Sequence, residues 1–366
     1  MIPILRPRLP STERLTPYLR KIDASRYYSN FGPLVLALEE RLSAHYGLNT
    51  GTVATIGNAT SGLALALAAQ GPSKGSLCAM PAWTFIASAH AAVMAGLTPY
   101  FVDVDAKTWA LDPSAVGAAI ARAPAPVGAV MPVAPFGQPL DMDAWDQFRK
   151  QTALAVVVDA AAGFDSLVPR ATPAVVSLHA TKVLGVGEGG FVISTDAAVI
   201  ADIRRRSNFG FDADRQVVVP ATNAKLSEYH AAVGHAALDS WHEARAEWMQ
   251  VGNGYRRSFS GSNSVRLQNG FAKTWISGTC VISVNRSVCA QAQEALAAAG
   301  IDTRFWWGKG AHMYPATAHF PRDSLPETSA IADSSFAIPF YCDLQAADID
   351  RIAEIIHAAA TKPTAD

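Results

Sequence analysis

Between about residues 50 and 240, short runs of purely apolar residues alternate with alanine-rich stretches whose apolar positions recur at helical spacing. Such alternation reads as β-α-β units laid around a mostly parallel sheet, an α/β fold. Parallel neighbours need a crossover between them, and right-handed crossovers are expected. Thr52–Ile56 reads as the first strand, and Gly57-Asn58-Ala59-Thr60-Ser61-Gly62 as the turn that opens a helix through Leu63–Leu67. Further strands are expected at Leu77–Met80, Pro99–Val104, Val127–Val133, Ala155–Val158, Ala174–Leu178 and Phe191–Ser194.

Beyond about residue 245 the repeats fade. One strand is expected at Thr279–Val284 after Gly278, and a helix at Cys289–Ala299 stopped by Gly300. Ala346–Ala360 carries Ile349, Ile352, Ile355 and Ile356 on one helical face. The chain therefore divides into a large domain, residues 1–244 with an N-terminal arm, and a smaller α+β domain, residues 245–366. Of its 366 residues 50% are hydrophobic and 17% charged, enough apolar material to fill both.

A net charge of −1 supplies no long-range field for nucleic acid or an anionic membrane, so an anionic ligand has to be held by local groups. Cys78, Cys280, Cys289 and Cys342 form no C-x-x-C pair, and no histidine cluster has metal-ligand spacing; the cysteines read as buried reduced thiols, with no metal. Residues 1–8 contain no apolar leader, and no later segment approaches an uncharged run of about 18 apolar residues. A cytoplasmic location without membrane partners is expected.

Four short segments carry the chemistry. In Val175-Val176-Ser177-Leu178-His179-Ala180-Thr181-Lys182, a lysine leaves a buried strand and enters the glycine-rich Gly185–Gly190 turn. A partly desolvated amine there loses its proton readily and becomes nucleophilic toward an aldehyde, although most lysines in turns are plain surface residues. Asp159 ends the apolar run Val156–Val158, where α/β sheets present ligand groups. A carboxylate in that place can pair with the pyridinium nitrogen of pyridoxal phosphate, or simply cap a helix. The Gly57–Gly62 turn offers free N–H groups and hydroxyls to a phosphate, and Pro81-Ala82-Trp83-Thr84-Phe85 puts aromatic rings after a strand, either to stack on a pyridine or to fill the core. Their shared position at strand ends, in that order, points to one cofactor site.

Together with Tyr28–Pro33, Phe101–Asp105 and Gly187-Glu188-Gly189-Gly190, these segments resemble the DegT/StrS-type sugar-nucleotide aminotransferases over nearly the whole chain. The resemblance implies the fold type I architecture of pyridoxal 5′-phosphate (PLP) enzymes: a large domain with a mostly parallel sheet and a smaller C-terminal α+β domain. It implies that Lys182 forms the Schiff base and shuttles protons, and that Asp159 pairs with the ring nitrogen. Ala59, Thr60, Ser61 and Ser177 would hold the phosphate, and Phe85, with Trp83 second, would stack on the ring. Thr222–Ser227 resembles the family's Asn-Tyr-Arg-Met-Ser stretch, whose asparagine reaches the neighbouring subunit's phosphate; Asn223 would do so here, making a homodimer obligatory. Tyr28, Lys225, Arg304 and His312 would face the substrate.

Three departures stand out. Ala162 replaces the usual Gln or His, Ala224 and Lys225 replace Tyr-Arg, and lysine cannot reproduce the planar arginine fork. Trp306 and Trp307 in the substrate-facing region either stack on a nucleobase or sugar, or fill the domain interface. The implied activity is transfer of an amino group from glutamate to a 3- or 4-keto nucleotide-linked deoxysugar. The rivals are a non-catalytic PLP-binding regulatory homologue and a dehydratase-like relative, the latter opposed by Lys182 because those relatives carry histidine.

Overall fold

The computed structural model describes residues 1–361. The first strands are β1 (Val53–Ile56), β2 (Leu77–Pro81), β3 (Thr98–Val102), β4 (Val127–Val130), β5 (Ala155–Val156), β6 (Val158–Asp159), β7 (Ala174–Ser177) and β8 (Gly190–Ile193). They form two four-stranded sheets, in the orders β3-β2-β4-β5 and β1-β8-β7-β6. Val157 alone separates β5 from β6. Val157 and Asp159 donate their N–H groups to Val130 and Pro132, whereas Val158 and Ala160 donate to Pro173 and Val175 on the other side. The segment Ala155–Asp159 is thus one extended strand that joins the two sheets edge to edge.

Every strand expected before residue 200 is present, with two changes. The third and fourth stop at Val102 and Val130, short of the expected Val104 and Val133. The sheet is also less parallel than the alternation suggests: β8 runs antiparallel to both β7 and β1. Its cause is the connection, because Leu178–Gly189 contains no helix and so cannot make the crossover that a parallel partner requires.

Alternation along the strands buries both faces. Val53, Val176 and Phe191 join one core with helix Pro33–His45, and Ala54, Val175 and Val192 join another with helices Ala59–Ala69 and Ala197–Ser207. Each of these valines and the phenylalanine contributes about 1.5–3 kcal/mol by leaving water.

A second, antiparallel sheet contains β9 (Val265–Leu267), β10 (Cys280–Val284) and β11 (Ser335–Ile338), in the order β11-β10-β9. The helix expected from Cys289 starts at Arg286, because Asn285 caps it by accepting the Ser287 N–H at 3.2 Å. The expected domain boundary after residue 244 falls inside helix Trp241–Ser258, and Ile2 bridges to Ile301 beside the second sheet. Cys78, Cys280 and Cys289 are buried thiols as expected; Cys342 is only half-buried.

Candidate active site

Ser177 ends β7 and faces Gly190 of β8 across the ladder. A Cβ on Gly190 would lie 3.0 Å from Ala59 N and 2.9 Å from Val176 O, so glycine is what lets the first turn of helix Ala59–Ala69 approach the strand. Asn58 caps that turn, its Oδ1 accepting the Ser61 N–H at 2.8 Å. The N–H groups of Ala59 and Thr60 precede any helical acceptor. Thr60 and Ser61 carry hydroxyls in the turn, and Ser177 adds another from the neighbouring strand. This is a cradle suited to a phosphate dianion.

Asp159 ends β6 and is buried. Its Oδ1 accepts the Ala161 N–H at 3.1 Å and its Oδ2 accepts the Ser88 hydroxyl at 2.7 Å. Burial pushes its pKa above the usual carboxylate range, while Ser88, the Ala161 N–H and the charge of Lys182 pull it back. Lys182 follows β7 in a turn closed by its own N–H to His179 O at 2.9 Å. Part of its side chain reaches solvent, yet its amine is packed deeply enough that burial lowers its pKa, opposed by Asp159. The two feel one another's charge without an ion pair between them. From the second sheet's side, Gly278 presses on this turn: a Cβ there would lie 2.4 Å from Thr181 O.

Of the two candidate stacking rings, Phe85 is exposed just before helix Ile86–Met94. Trp83 is instead buried, with Phe136 and Trp307 edge-on at 6.4 and 5.5 Å between ring centres. Trp307 in turn stacks on Phe136 at 4.1 Å. Of the two readings of the tryptophan pair, filling the interface therefore describes Trp307. Trp306 is partly buried and lies under the Arg304 guanidinium, 5.0 Å from the ring centre. Arg304 itself pairs with Ala337 of β11, so its backbone lies along the second sheet. His312 is buried near the end of β2, where Ala311 donates its N–H to Ala82 O at 2.8 Å. Burial and the neighbouring Arg322 hold its pKa low, and its Nδ1 has no partner among the described residues.

Ala224 O accepts the Gly57 N–H at 2.7 Å, which docks the Thr222–Ser227 segment beside the phosphate turn of its own subunit. Asn223 is nevertheless exposed and pairs with Asn208. Lys225 sits over the Phe209 ring at 4.5 Å, its pKa lowered by burial. Tyr28 is exposed and stacks on Tyr229 at 6.3 Å. Ala162 has a backbone role: its carbonyl would be 2.5 Å from a Cβ on Gly137.

The sequence reading gives Thr84 and Gly190 no role of their own and passes over Ser88. No local signal marks Ser88, whose acceptor Asp159 lies 71 positions away. Among the described residues no group of His, Cys, Asp or Glu could hold a metal ion, and no helix is long and apolar enough to cross a membrane.

A cradle for an anion, a buried acid and a desolvated amine form a donor set that fits pyridoxal phosphate. The fold agrees. A PLP-dependent aminotransferase from Bacillus cereus ATCC 10987 superposes with a TM-score of 0.90 at 28% identity, over 97% of this chain and 99% of that one. DesI, solved with its TDP-sugar product, gives 0.87 at 30% identity, over 99% and 93%. In sequence, the dTDP-4-amino-4,6-dideoxy-D-glucose transaminase of Escherichia coli is 27% identical, over 97% of this chain and 98% of the relative. The cofactor is pyridoxal 5′-phosphate. Residues 11–357 match the DegT/DnrJ/EryC1/StrS aminotransferase family, and the chain belongs to it.

Proposed function

We propose that the protein moves an amino group from glutamate to a 3- or 4-keto nucleotide-linked deoxysugar. The observation that carries this reading is the pair of buried, mutually attracted groups, Lys182 and Asp159, beside the glycine-lined phosphate turn. The names of its relatives support the substrate class: one is a dTDP-amino-sugar transaminase and another, DesI, binds a TDP-sugar.

Ala59, Thr60, Ser61 and Ser177 would bind the phosphate, Phe85 would cover the ring, and Asp159 would accept from the ring nitrogen. The bound cofactor supplies the electron sink for loss of a proton from the amino-bearing carbon. Lys182 Nζ, its pKa lowered by burial, would take up that proton and later return it. Tyr28, Lys225, Arg304 and His312 orient the substrate.

The partner subunit would complete the site through Asn223. The exposed aromatics Tyr28, Tyr229 and Phe209 around that residue support a homodimer that covers them. A cytoplasmic location goes with this reading, supported by four cysteines none of which is in a disulfide.

The test is a panel of keto nucleotide sugars incubated with glutamate, read as the mass change of replacing a carbonyl oxygen by an amine. Borohydride reduction should fix the cofactor on the Lys182 peptide, and Lys182→Ala should abolish both results. Turnover by Lys182→Ala would overturn the reading.

A further inference from the structure

The carboxylate of Asp159 is held by a chain of hydroxyls that begins at Thr84. Its Oδ2 accepts from Ser88 at 2.7 Å, and Ser88 Oγ lies 2.7 Å from Thr84 Oγ1. A serine has one hydroxyl proton, and here the carboxylate takes it. Ser88 must then accept from Thr84, so the chain has one direction: Thr84 to Ser88 to Asp159. Both hydroxyl residues are wholly buried, so water cannot substitute for either.

The same turn presents Phe85. Ser88 donates its backbone N–H to Phe85 O at 3.1 Å, in the first turn of helix Ile86–Met94. The ring proposed to cover the cofactor and the hydroxyl that holds its acid are therefore parts of one rigid unit. The groups facing Asp159 from the surrounding elements are Ser88, the Ala161 N–H and the Lys182 amine. Of the groups that favour its ionised form, Ser88 has the largest effect.

We propose that Ser88, oriented by Thr84, is a positioning residue that holds the Asp159 carboxylate as the acceptor for the cofactor's pyridinium N–H. The proposal rests on Asp159 being the ring's partner. With the hydroxyl removed, a carboxylate in an apolar pocket draws the ring proton toward itself. The ring then withdraws fewer electrons, and the Lys182 imine nitrogen becomes more basic.

Two quantities test this without turnover: the pH midpoint of the coenzyme's visible absorption in the resting holoenzyme, and the Kd of the apoprotein for pyridoxal phosphate. Ser88→Ala should raise the midpoint by about one unit and weaken binding about tenfold. Thr84→Val should shift the midpoint the same way by less, and Ser88→Thr, which keeps a hydroxyl, should restore both. Asp159→Asn separates the two claims. If it leaves the midpoint unchanged, Asp159 is not the ring's partner and the proposal falls with that reading. If Asp159→Asn moves the midpoint and Ser88→Ala does not, the proposal alone is overturned. A loss of affinity in Ser88→Ala with no change of midpoint, or one that Ser88→Thr fails to restore, marks a packing role and also overturns it.

Discussion

The carboxylate of Glu228 caps the helix that contains Leu34, taking the Leu34 N–H at 2.9 Å and that of Val35 at 2.8 Å. Glu228 is buried, and its own N–H donates to Tyr28 O at 3.1 Å. Two candidate site segments, Tyr28–Pro33 and Thr222–Ser227, are thereby welded at one residue. Gly32, the N-cap of that helix, has no side chain to do this work, and a Cβ on it would meet Tyr27 at 2.4 Å and the Glu228 carboxyl carbon at 2.7 Å.

Glu228→Ala leaves two buried N–H groups without acceptors and should cost about 2–3 kcal/mol, read by urea denaturation. Glu228→Gln, which keeps an acceptor oxygen, should lose less. Equal losses would mean that the packing of the side chain, not its capping, matters.

Gly190→Ala should damage the phosphate cradle first. The new methyl meets backbone atoms of Val176 and Ala59, which cannot rotate away. Affinity for pyridoxal phosphate should fall at least about tenfold, with a stability loss of about 1–3 kcal/mol. Cofactor titration alongside thermal melting separates the two effects.

His235 gives a pH dependence with a definite sign. Its Nε2 lies 2.9 Å from Leu34 O and so carries the proton, leaving Nδ1 to accept from Arg41 at 3.0 Å. Burial, together with Arg41, lowers its pKa in the folded protein. The neutral form is therefore favoured by folding, and its contribution is present above the unfolded value of about 6.5. It is lost as pH falls below that value and through the folded pKa. Denaturation midpoints should drop as pH falls below about 6.5, and less in His235→Gln. An identical pH profile in both proteins would exclude His235.

Subunit mixing tests the role of Asn223. Lys182→Ala and Asn223→Ala should each be nearly inactive alone. If Asn223 serves the partner's phosphate, randomly mixed dimers hold one intact site in every hybrid, restoring about a quarter of the wild-type activity. No recovery after verified exchange would confine Asn223 to its own subunit.

Trp307→Ala should open a cavity between Phe136 and Trp83 and cost about 3–5 kcal/mol, leaving the KM for a nucleotide sugar little changed in the folded fraction. A large rise in KM with unchanged stability would instead place the ring on the substrate.

How far the sequence could be read depended on whether a feature was local. Strand positions were legible because runs such as Ala174–Ser177 are buried on both faces and show it in composition. The reversed direction of β8 was not, since it follows from the lack of a helix in Leu178–Gly189 rather than from the strand itself. Lys182, Asp159 and the Asn58-capped turn could be found because each follows or ends a strand. Trp83 stood second to Phe85 as a stacking ring because sequence gives no direction to a side chain; packing against Phe136 and Trp307 supplies it. Ser88 was invisible for a related reason, as its acceptor lies 71 positions away.

The contact between Gly278 and the carbonyl of Thr181 has a mechanical consequence. With space for no more than a hydrogen atom at that point, any side chain at position 278 would have to push the Thr181 peptide aside, and with it the turn that carries the reactive amine.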